Sequence, residues 1–184
     1  MQNKKRIESD SLGLKKIDSN KLWGAQTQRS LENFKIGKDK IPPEIIVSLG
    51  KQKKACVLAN NSLGLINKKL TLAISKVCDQ IIDLSLIDEF PLSVWQTGSG
   101  TQTNMNANEV ISNCAIKILK GKIGSKSPVH PNDHVNLSQS SNDTFPTVMH
   151  IAANELTDEK LIPALKNLIK ELRKKTKMYS KIIK

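Results

Sequence analysis

The chain has few aromatic residues, few cysteines and no long apolar run. Two Trp, one Tyr and three Phe are its only aromatic residues, whereas proteins that bind single-stranded nucleic acid usually stack bases on aromatic side chains. Three widely spaced cysteines, Cys56, Cys78 and Cys114, include no Cys-x-x-Cys pair, so neither a disulfide framework nor a metal site is expected. No run approaches the roughly 18 apolar residues of a membrane span, and no apolar stretch follows the first charged residues. These features predict a cytoplasmic protein without a membrane partner, with a matrix protein whose transit peptide has been removed as the alternative.

Acidic residues are also scarce relative to basic ones. The chain has 29 Lys and Arg against 17 Asp and Glu, a net charge of +12 and a pI near 9.7. Such a balance suits a polyanionic partner, but the lysines occur as scattered pairs and do not form one basic motif. The pairs are Lys4-Lys5, Lys15-Lys16, Lys53-Lys54, Lys68-Lys69 and Lys174-Lys175. We therefore expect solvated helix faces and no nucleic-acid function.

Apolar residues recur at intervals of three and four, which predicts an all-α fold. The expected helices run from Pro42-Pro43 to about Asn61, from Leu70 to Leu84, from Met105 to Gly121, from Asp143 onward, and from about Asp158 through Ile182. Before Ile41 the chain is polar, and we expect it to be irregular, without strands. The last predicted helix carries an apolar stripe, Leu161, Leu165, Leu168 and Leu172, and has no Gly or Pro to end it. This stripe needs cover from other copies or from further chain.

A segment rich in Gly, Ser and Thr precedes the third predicted helix. Residues 97–108 read Thr-Gly-Ser-Gly-Thr-Gln-Thr-Asn-Met-Asn-Ala-Asn. Gly98 and Gly100 allow close approach of the backbone to a ligand, and the hydroxyl and amide side chains supply hydrogen-bond donors. The segment lacks the Lys-containing ending of a Walker loop and the three spaced glycines of a dinucleotide-binding loop. It suits an anionic, oxygen-rich ligand, although such a loop taken alone is more often a turn.

A second polar segment stands where the fourth helix is expected to begin. Ser140, Ser141 and Asn142 precede Asp143, and Pro146 follows three residues later. Unpaired N–H groups and the positive end of the dipole at a helix N-terminus attract anions. Ser, Asn and Asp are also the ordinary capping residues. The tripeptide alone therefore fits a carboxylate-binding wall or a simple helix cap.

Together with residues 22–30, Leu-Trp-Gly-Ala-Gln-Thr-Gln-Arg-Ser, these segments resemble one known family. From about Asp10 to Lys184 the chain is similar to the N-terminal portion of class II fumarate hydratases, members of the fumarase/aspartase superfamily. Aspartases usually carry Gly-Ala-Gly where this chain has Gly98-Ser99-Gly100, and Ser-Thr-Asn where it has Ser140-Ser141-Asn142. The resemblance thus favours a fumarase, with an aspartase-like ammonia-lyase or an inactive truncated form as alternatives.

The resemblance implies reversible hydration of fumarate to malate, without metal or other cofactor, by a homotetramer. It divides the chain into a mostly helical lyase domain, residues 1–138, and the start of a central helical bundle, residues 139–184. It also implies two substrate-binding walls from different subunits, and a second dicarboxylate site. The walls are Ser99, Gly100, Thr101 and Asn104, and Ser140, Ser141 and Asn142; the second site is His130, Pro131, Asn132 and Asp133.

No catalytic residue is expected within this chain. In the family, the catalytic histidine belongs to a Gly-Arg-Thr-His segment that would lie beyond Lys184, and the base is a serine in a later Gly-Ser-Ser loop. Four positions depart from the family pattern: Cys114 replaces an arginine, Leu137 a lysine, Thr103 a serine and Ser127 a basic residue of some members. Lys126 is the candidate replacement for the charge missing at the second site.

Overall fold

The structure is a computed structural model that describes residues 4–183, and it consists mainly of helices. Its elements are β1 Lys5–Asp10, β2 Gly13–Asp18, α1 Ala25–Asn33, α2 Pro43–Ser62, α3 Lys68–Ile82, α4 Thr101–Ile118, α5 Ser141–Leu156 and α6 Ile162–Met178. A short 3-10 turn covers Ile87–Glu89, and π-helical turns cover Pro131–Val135 and Thr157–Leu161. The predicted all-α class is confirmed. Across the described residues, no helix has the length and apolar character that crossing a membrane requires.

The beginning of the chain is more regular than the sequence indicated. Strands β1 and β2 pair antiparallel from Lys5 opposite Asp18 to Asp10 opposite Gly13, and helix α1 follows. The expectation of an irregular segment without strands before Ile41 is therefore wrong. Only Glu8 of β1 and Ile17 of β2 are buried, so the hairpin lacks the alternation of apolar and polar residues by which a half-buried strand is recognised.

The core lies between α2, α3 and α4, as their three-and-four spacing predicted. Leu49, Ile74 and Ile111 are fully buried at its centre. Gly50 allows α2 to approach α3 closely, because a Cβ atom there would lie 3.0 Å from Ile81 Cγ2. Cys114 is also buried, and its Sγ lies 3.5 Å from Gln80 Oε1. The cysteine thus occupies a core position between α3 and α4, where it packs as a small apolar residue.

Several helix ends differ from their predicted positions. Helix α4 begins at Thr101, four residues before the predicted Met105, and α5 begins at Ser141 and not at Asp143. Polar residues of both ligand segments therefore belong to the first helical turns. The sequence was ambiguous here because Ser, Thr and Asn serve as helix caps and as early helical residues alike.

Helices α5 and α6 form one continuous unit through the π-helical turn Thr157–Leu161. Pro163 lacks the N–H that an α-helical bond would need at this join, and a π-turn is a common way to accommodate such a defect. Every residue of α6 is exposed. The helix ends at Met178, so the prediction that it continues through Ile182 is wrong: Tyr179 already leaves helical geometry, at φ −103° and ψ 15°.

Candidate substrate-binding site

The first polar segment ends in a left-handed residue that starts α4. Gly100 has φ +68° and is the N-cap of the helix. A Cβ atom on Gly100 would lie 2.2 Å from the Phe145 ring of α5, so glycine is needed both for its backbone conformation and for close approach. Beside it, the hydroxyl oxygens of Ser99 and Thr101 are 2.9 Å apart. The turn therefore presents two adjacent hydroxyls at a helix N-terminus.

The second polar segment starts α5 next to the first. Ser140 is the N-cap, and its Oγ accepts a hydrogen bond from the Asn142 backbone N–H at 3.3 Å. Ser141 Oγ lies 3.0 Å from Thr101 Oγ1. Two helix N-termini thus meet within one chain, and the expectation that the two walls come from different subunits is wrong. Their dipoles and their hydroxyls favour an anion at the same place.

The residues of the two walls differ in exposure. Ser99, Ser140 and Asn142 are exposed, and Thr101 and Ser141 are half-buried, so five polar side chains surround an open surface. Asn104 lies behind them, 1% exposed, and its Nδ2 donates to Asn136 Oδ1 at 3.2 Å. The structure therefore places Asn104 beneath the first wall, where it joins α4 to the segment that leads into α5.

The segment predicted to form a second dicarboxylate site is a π-helical turn capped by His130. His130 Nδ1 accepts hydrogen bonds from the backbone N–H groups of Asn132 and Asp133, at 3.2 and 3.1 Å. Asp133 Oδ2 also lies 3.2 Å from this Nδ1, so the contacts of Nδ1 are all made within the turn. His134 belongs to the same turn, and its Nδ1 accepts from the His130 backbone N–H at 2.8 Å.

A cavity of about 160 Å³ adjoins this turn. It is lined by Ser9, Asp10, Ser11, Gln26, Met105, Glu109, Lys126, His130, Pro131 and Asn132. Three of the four predicted residues are thus brought together, while Asp133 is exposed and is not part of the lining. Lys126 faces the same cavity, as its candidate role requires, and also donates to the Ser9 carbonyl at 2.6 Å.

Two carboxylates face this cavity and reduce its positive charge. Burial disfavours ionisation of Asp10, but hydrogen bonds from Arg29 and from the Leu12 backbone outweigh this effect and lower its pKa. Glu109 accepts hydrogen bonds from Thr27 Oγ1 and from the backbone N–H groups of Gly24, Gln26 and Thr27. Burial nevertheless raises the pKa of Glu109. These bonds attach the N-terminus of α1 to α4, which keeps α1 beside the first wall.

A larger cavity of about 260 Å³ lies between the first wall and α1. It is lined by Asp10, Ser11, Leu12, Gln26, Arg29, Ser30, Asn33, Phe34, Thr101, Gln102 and Met105. Asp10, Ser11, Gln26 and Met105 line both cavities, so these residues separate the first wall from the His130 turn. Within residues 4–183, no group of three or more His, Cys, Asp or Glu side chains is arranged to hold a metal ion.

Comparison with known proteins places this arrangement in a family. A family model described as Lyase matches residues 13–184. The chain belongs to this lyase family. The chain is 54% identical to fumarate hydratase class II 2 of Bradyrhizobium diazoefficiens over 179 residues, which are 97% of this chain and 38% of that protein. Fumarate hydratase class II of Rickettsia conorii is 55% identical, over 97% of this chain and 39% of its own length.

Solved structures agree with the sequence comparison. The class II fumarase of Schistosoma mansoni superposes with a TM-score of 0.92 at 45% identity, over 95% of this chain and 37% of that one. A fumarate lyase:delta crystallin from Brucella melitensis, solved bound to cobalt, gives 0.91 at 38% identity over 95% of this chain and 38% of that one. The predicted resemblance is confirmed, and the chain spans about two fifths of the relatives it matches.

The residues that support the walls from behind had no recognisable motif in the sequence. Lys53 of α2 is completely buried and donates to Asn136 and Gln139 in the segment before α5. One signal was present: Lys53 stands four residues after Leu49 and four before Val57, on the apolar face of α2. Its partners could not be predicted, because they are more than 80 residues away in sequence.

Proposed function

We propose that this chain forms the substrate-carboxylate-binding part of a class II fumarate hydratase, which hydrates fumarate to malate reversibly. The contact between Thr101 and Ser141 carries this proposal, because it joins two helix N-termini at one polar surface. Ser99, Ser140 and Asn142 surround this contact, and Gly100 allows the close approach. The hydratase names of the relatives support the reaction class.

In the direction from malate to fumarate, the proposed reaction removes a proton from the carbon next to one carboxylate and expels hydroxide from the neighbouring carbon, which together release water. Negative charge then develops on that carboxylate. Hydroxyl donors and helix N-termini that are fixed before the reaction stabilise such charge without reorganising during the step. The side chains of Thr101, Ser141 and Asn142 are the donors that we assign to this role, and Asn104 supports them from beneath.

We propose that the His130 turn is a second dicarboxylate site. His130 would donate from Nε2, and Asn132 and Lys126 would contribute an amide and a charge from the lining of the 160 Å³ cavity. Pro131 sets the backbone at the start of the turn. Asp133 stands outside the cavity lining, and its Oδ2 lies 3.2 Å from His130 Nδ1, so we assign it to holding the His130 ring and not to contacting the ligand.

We further propose that residues 1–138 form a lyase domain, and that residues 139–184 begin the central bundle of a homotetramer. The exposed apolar side chains of α6, Leu165, Leu168, Ile169 and Leu172, support assembly, because uncovered apolar stripes of this length are uncommon on monomers. Three free cysteines within the described residues support a reducing, cytoplasmic location.

The test joins residues 1–184 to the remaining part of a class II fumarate hydratase and follows fumarate by its absorbance. We expect hydration and little aspartate formation when ammonia is supplied; comparable aspartate formation would favour the ammonia-lyase instead. Thr101→Val and Ser141→Ala should each lower the rate by about 10- to 1000-fold. Ser62→Ala, an exposed hydroxyl at the end of α2, is the control and should leave the rate unchanged.

The 184-residue chain alone is expected to be inactive. General acid–base groups each contribute roughly 10² to 10⁴ in rate, and the family's catalytic histidine and serine lie outside this segment by resemblance. Robust hydration by the isolated chain would show that its proton-transfer groups have been placed wrongly. Light scattering on the same sample tests the exposed face of α6, for which we expect self-association; a well-folded monomer would contradict that expectation.

A further inference from the structure

Lys53 is an unusual residue for the interior of a protein. It lies on α2 with 0% of its surface exposed and is among the largest fully buried side chains. Lysine is almost never fully buried unless it is paired. Within residues 4–183, however, no Asp or Glu side chain forms an ion pair with it, and both of its hydrogen-bond partners are neutral amides.

Both partners lie in the short segment that leads into α5. Lys53 Nζ donates to Asn136 Oδ1 at 2.8 Å and to Gln139 Oε1 at 2.9 Å. Asn136 Oδ1 also accepts from Asn104 Nδ2 at 3.2 Å. One amide oxygen therefore joins α2, α4 and the segment before Ser140.

The amide groups of the two partners complete a closed network. Asn136 Nδ2 donates to the Gln139 carbonyl at 3.0 Å. Gln139 Nε2 donates to the carbonyls of Val135 and Leu137, at 3.0 and 3.2 Å. Because an ammonium can only donate, Lys53 requires both amide oxygens to face it, and this orientation directs both NH₂ groups to the backbone. The conformation of residues 135–139 thus depends on the ammonium.

We propose that Lys53 is a positioning residue that fixes residues 136–139 and so holds Ser140, Ser141 and Asn142 against the start of α4. This inference rests on the proposed function, since it assigns a purpose to the wall that Lys53 supports. Lys53 does not need to touch the substrate. It determines whether Ser141 stands within reach of Thr101, and so whether the two walls form one surface.

The alternative is that Lys53 contributes only to overall stability. Hydrogen exchange of backbone amides in the 184-residue chain distinguishes these roles. Loss of a local contact accelerates exchange only near that contact, whereas loss of overall stability accelerates exchange throughout the core. The variant is Lys53→Met, which keeps the length and removes the donor. The control is Lys54→Met, at the neighbouring lysine whose Nζ contacts Asp79 Oδ1 at 2.6 Å near the surface.

In Lys53→Met, the hydrogen-bonded amides of Asn136, Gln139 and Asn142 should exchange at least about tenfold faster, because hydrogen bonds from charged donors are among the stronger ones. Amides in the centres of α3 and α4 should change much less, and Lys54→Met should resemble the wild type. A uniform acceleration throughout the core, or unchanged exchange at Asn136, Gln139 and Asn142, would overturn the proposal.

A second measurement uses the wild-type chain and so does not require Lys53→Met to fold. Burial lowers the pKa of Lys53 to about 7, so the side-chain NH₂ resonances of Asn136 and Gln139 should shift together with one midpoint near that pH. Cys56 and Cys78 are the titratable groups facing Lys53, and burial raises the pKa of both thiols, so neither should titrate there. In Gln139→Glu the added carboxylate should move the midpoint upward.

In this variant the midpoint is read from the Asn136 NH₂ resonances, and an unchanged midpoint would overturn the contact between residue 139 and Lys53 on which the positioning role depends. None of these measurements requires substrate or turnover. Failure of the positioning role is therefore distinguishable from failure of the hydratase assignment, which the absorbance assay tests separately.

Discussion

Replacing Gly100 by alanine should disrupt the meeting point of the two walls. Gly100 has a left-handed backbone, with φ +68°, and the Phe145 ring lies where a Cβ atom would stand. Gly98, two residues earlier, has nothing within 4 Å of its hypothetical Cβ atom. Both Gly100→Ala and Gly98→Ala add one methyl group, but only Gly100→Ala should strain the folded state.

The cost has two parts. A non-glycine residue in the left-handed region loses roughly 1–2 kcal/mol, and a methyl group inserted where packing leaves no space costs about 1–3 kcal/mol more. A separation of 2.2 Å between the added carbon and the ring is far below van der Waals contact, so Phe145 has to move. Gly100→Ala should thus lower the free energy of unfolding by roughly 2–5 kcal/mol.

Urea unfolding followed by helical circular dichroism measures this difference. Both variants restrict the unfolded chain similarly, which alone stabilises by about 0.4–1 kcal/mol, so the comparison between them isolates the folded-state strain. Gly98→Ala should match or slightly exceed the wild type. Equal stability of the two variants would refute both the left-handed assignment of Gly100 and its contact with Phe145.

Three further predictions concern other parts of the chain. Glu109→Gln should destabilise the fold by about 1–3 kcal/mol or more, since donors around Glu109 lose their acceptor. Burial raises the pKa of Glu109 above 4.5. The free energy of unfolding of the wild type should therefore fall as pH rises from 4.5 through the raised pKa. Urea titrations should find that Glu109→Gln lacks this dependence on pH. Cys78, whose pKa burial raises to about 12, should resist a thiol reagent until urea unfolds the chain, whereas half-buried Cys56 should react earlier; simultaneous native labelling would contradict this. Fluorescence anisotropy should find any DNA binding weak and lost steeply with salt, and tight, sequence-selective binding would be evidence against the enzyme assignment.

The main helices could be predicted because their periodicity reflects burial directly. Leu49 of α2, and Ile74 and Ile81 of α3, are buried as expected, whereas Leu58 of α2, which the same spacing placed on the apolar face, is 49% exposed. The hairpin could not be predicted in the same way, because its strands are mostly exposed on both faces. Helices with one buried face could therefore be predicted from local sequence, whereas strands held mainly by hydrogen bonds to each other could not.

The two ligand segments were identified from composition, but their relation in space was not. Thr101 and Ser141 are separated by 40 residues, and no local pattern indicates that the starts of α4 and α5 meet. The resemblance supplied roles for these residues and assigned their walls to different subunits, which the contact within one chain contradicts. Tertiary geometry decides such questions, because helix N-termini attract anions jointly only when packing brings them together.

The proposed binding surface is supported from within this chain, apart from the catalytic groups that the resemblance places elsewhere. Electrostatic stabilisation of a developing charge depends on donors that are rigid before the reaction. Here the packing of Phe145 against Gly100 fixes the distance between α4 and α5, and the amide network at Lys53 fixes the segment that enters α5. Both supports lie entirely within the described residues.

Among residues 4–183, no comparable group covers the outer side of this surface. Ser99, Ser140 and Asn142 are exposed, so water competes for their donors, and an anion bound there would be held weakly. Excluding that water strengthens every electrostatic contact in a site. A further protein segment that covers these three residues would exclude this water. It would therefore strengthen the hydrogen bonds that their side chains donate to an anion, in addition to any base or acid that it supplies.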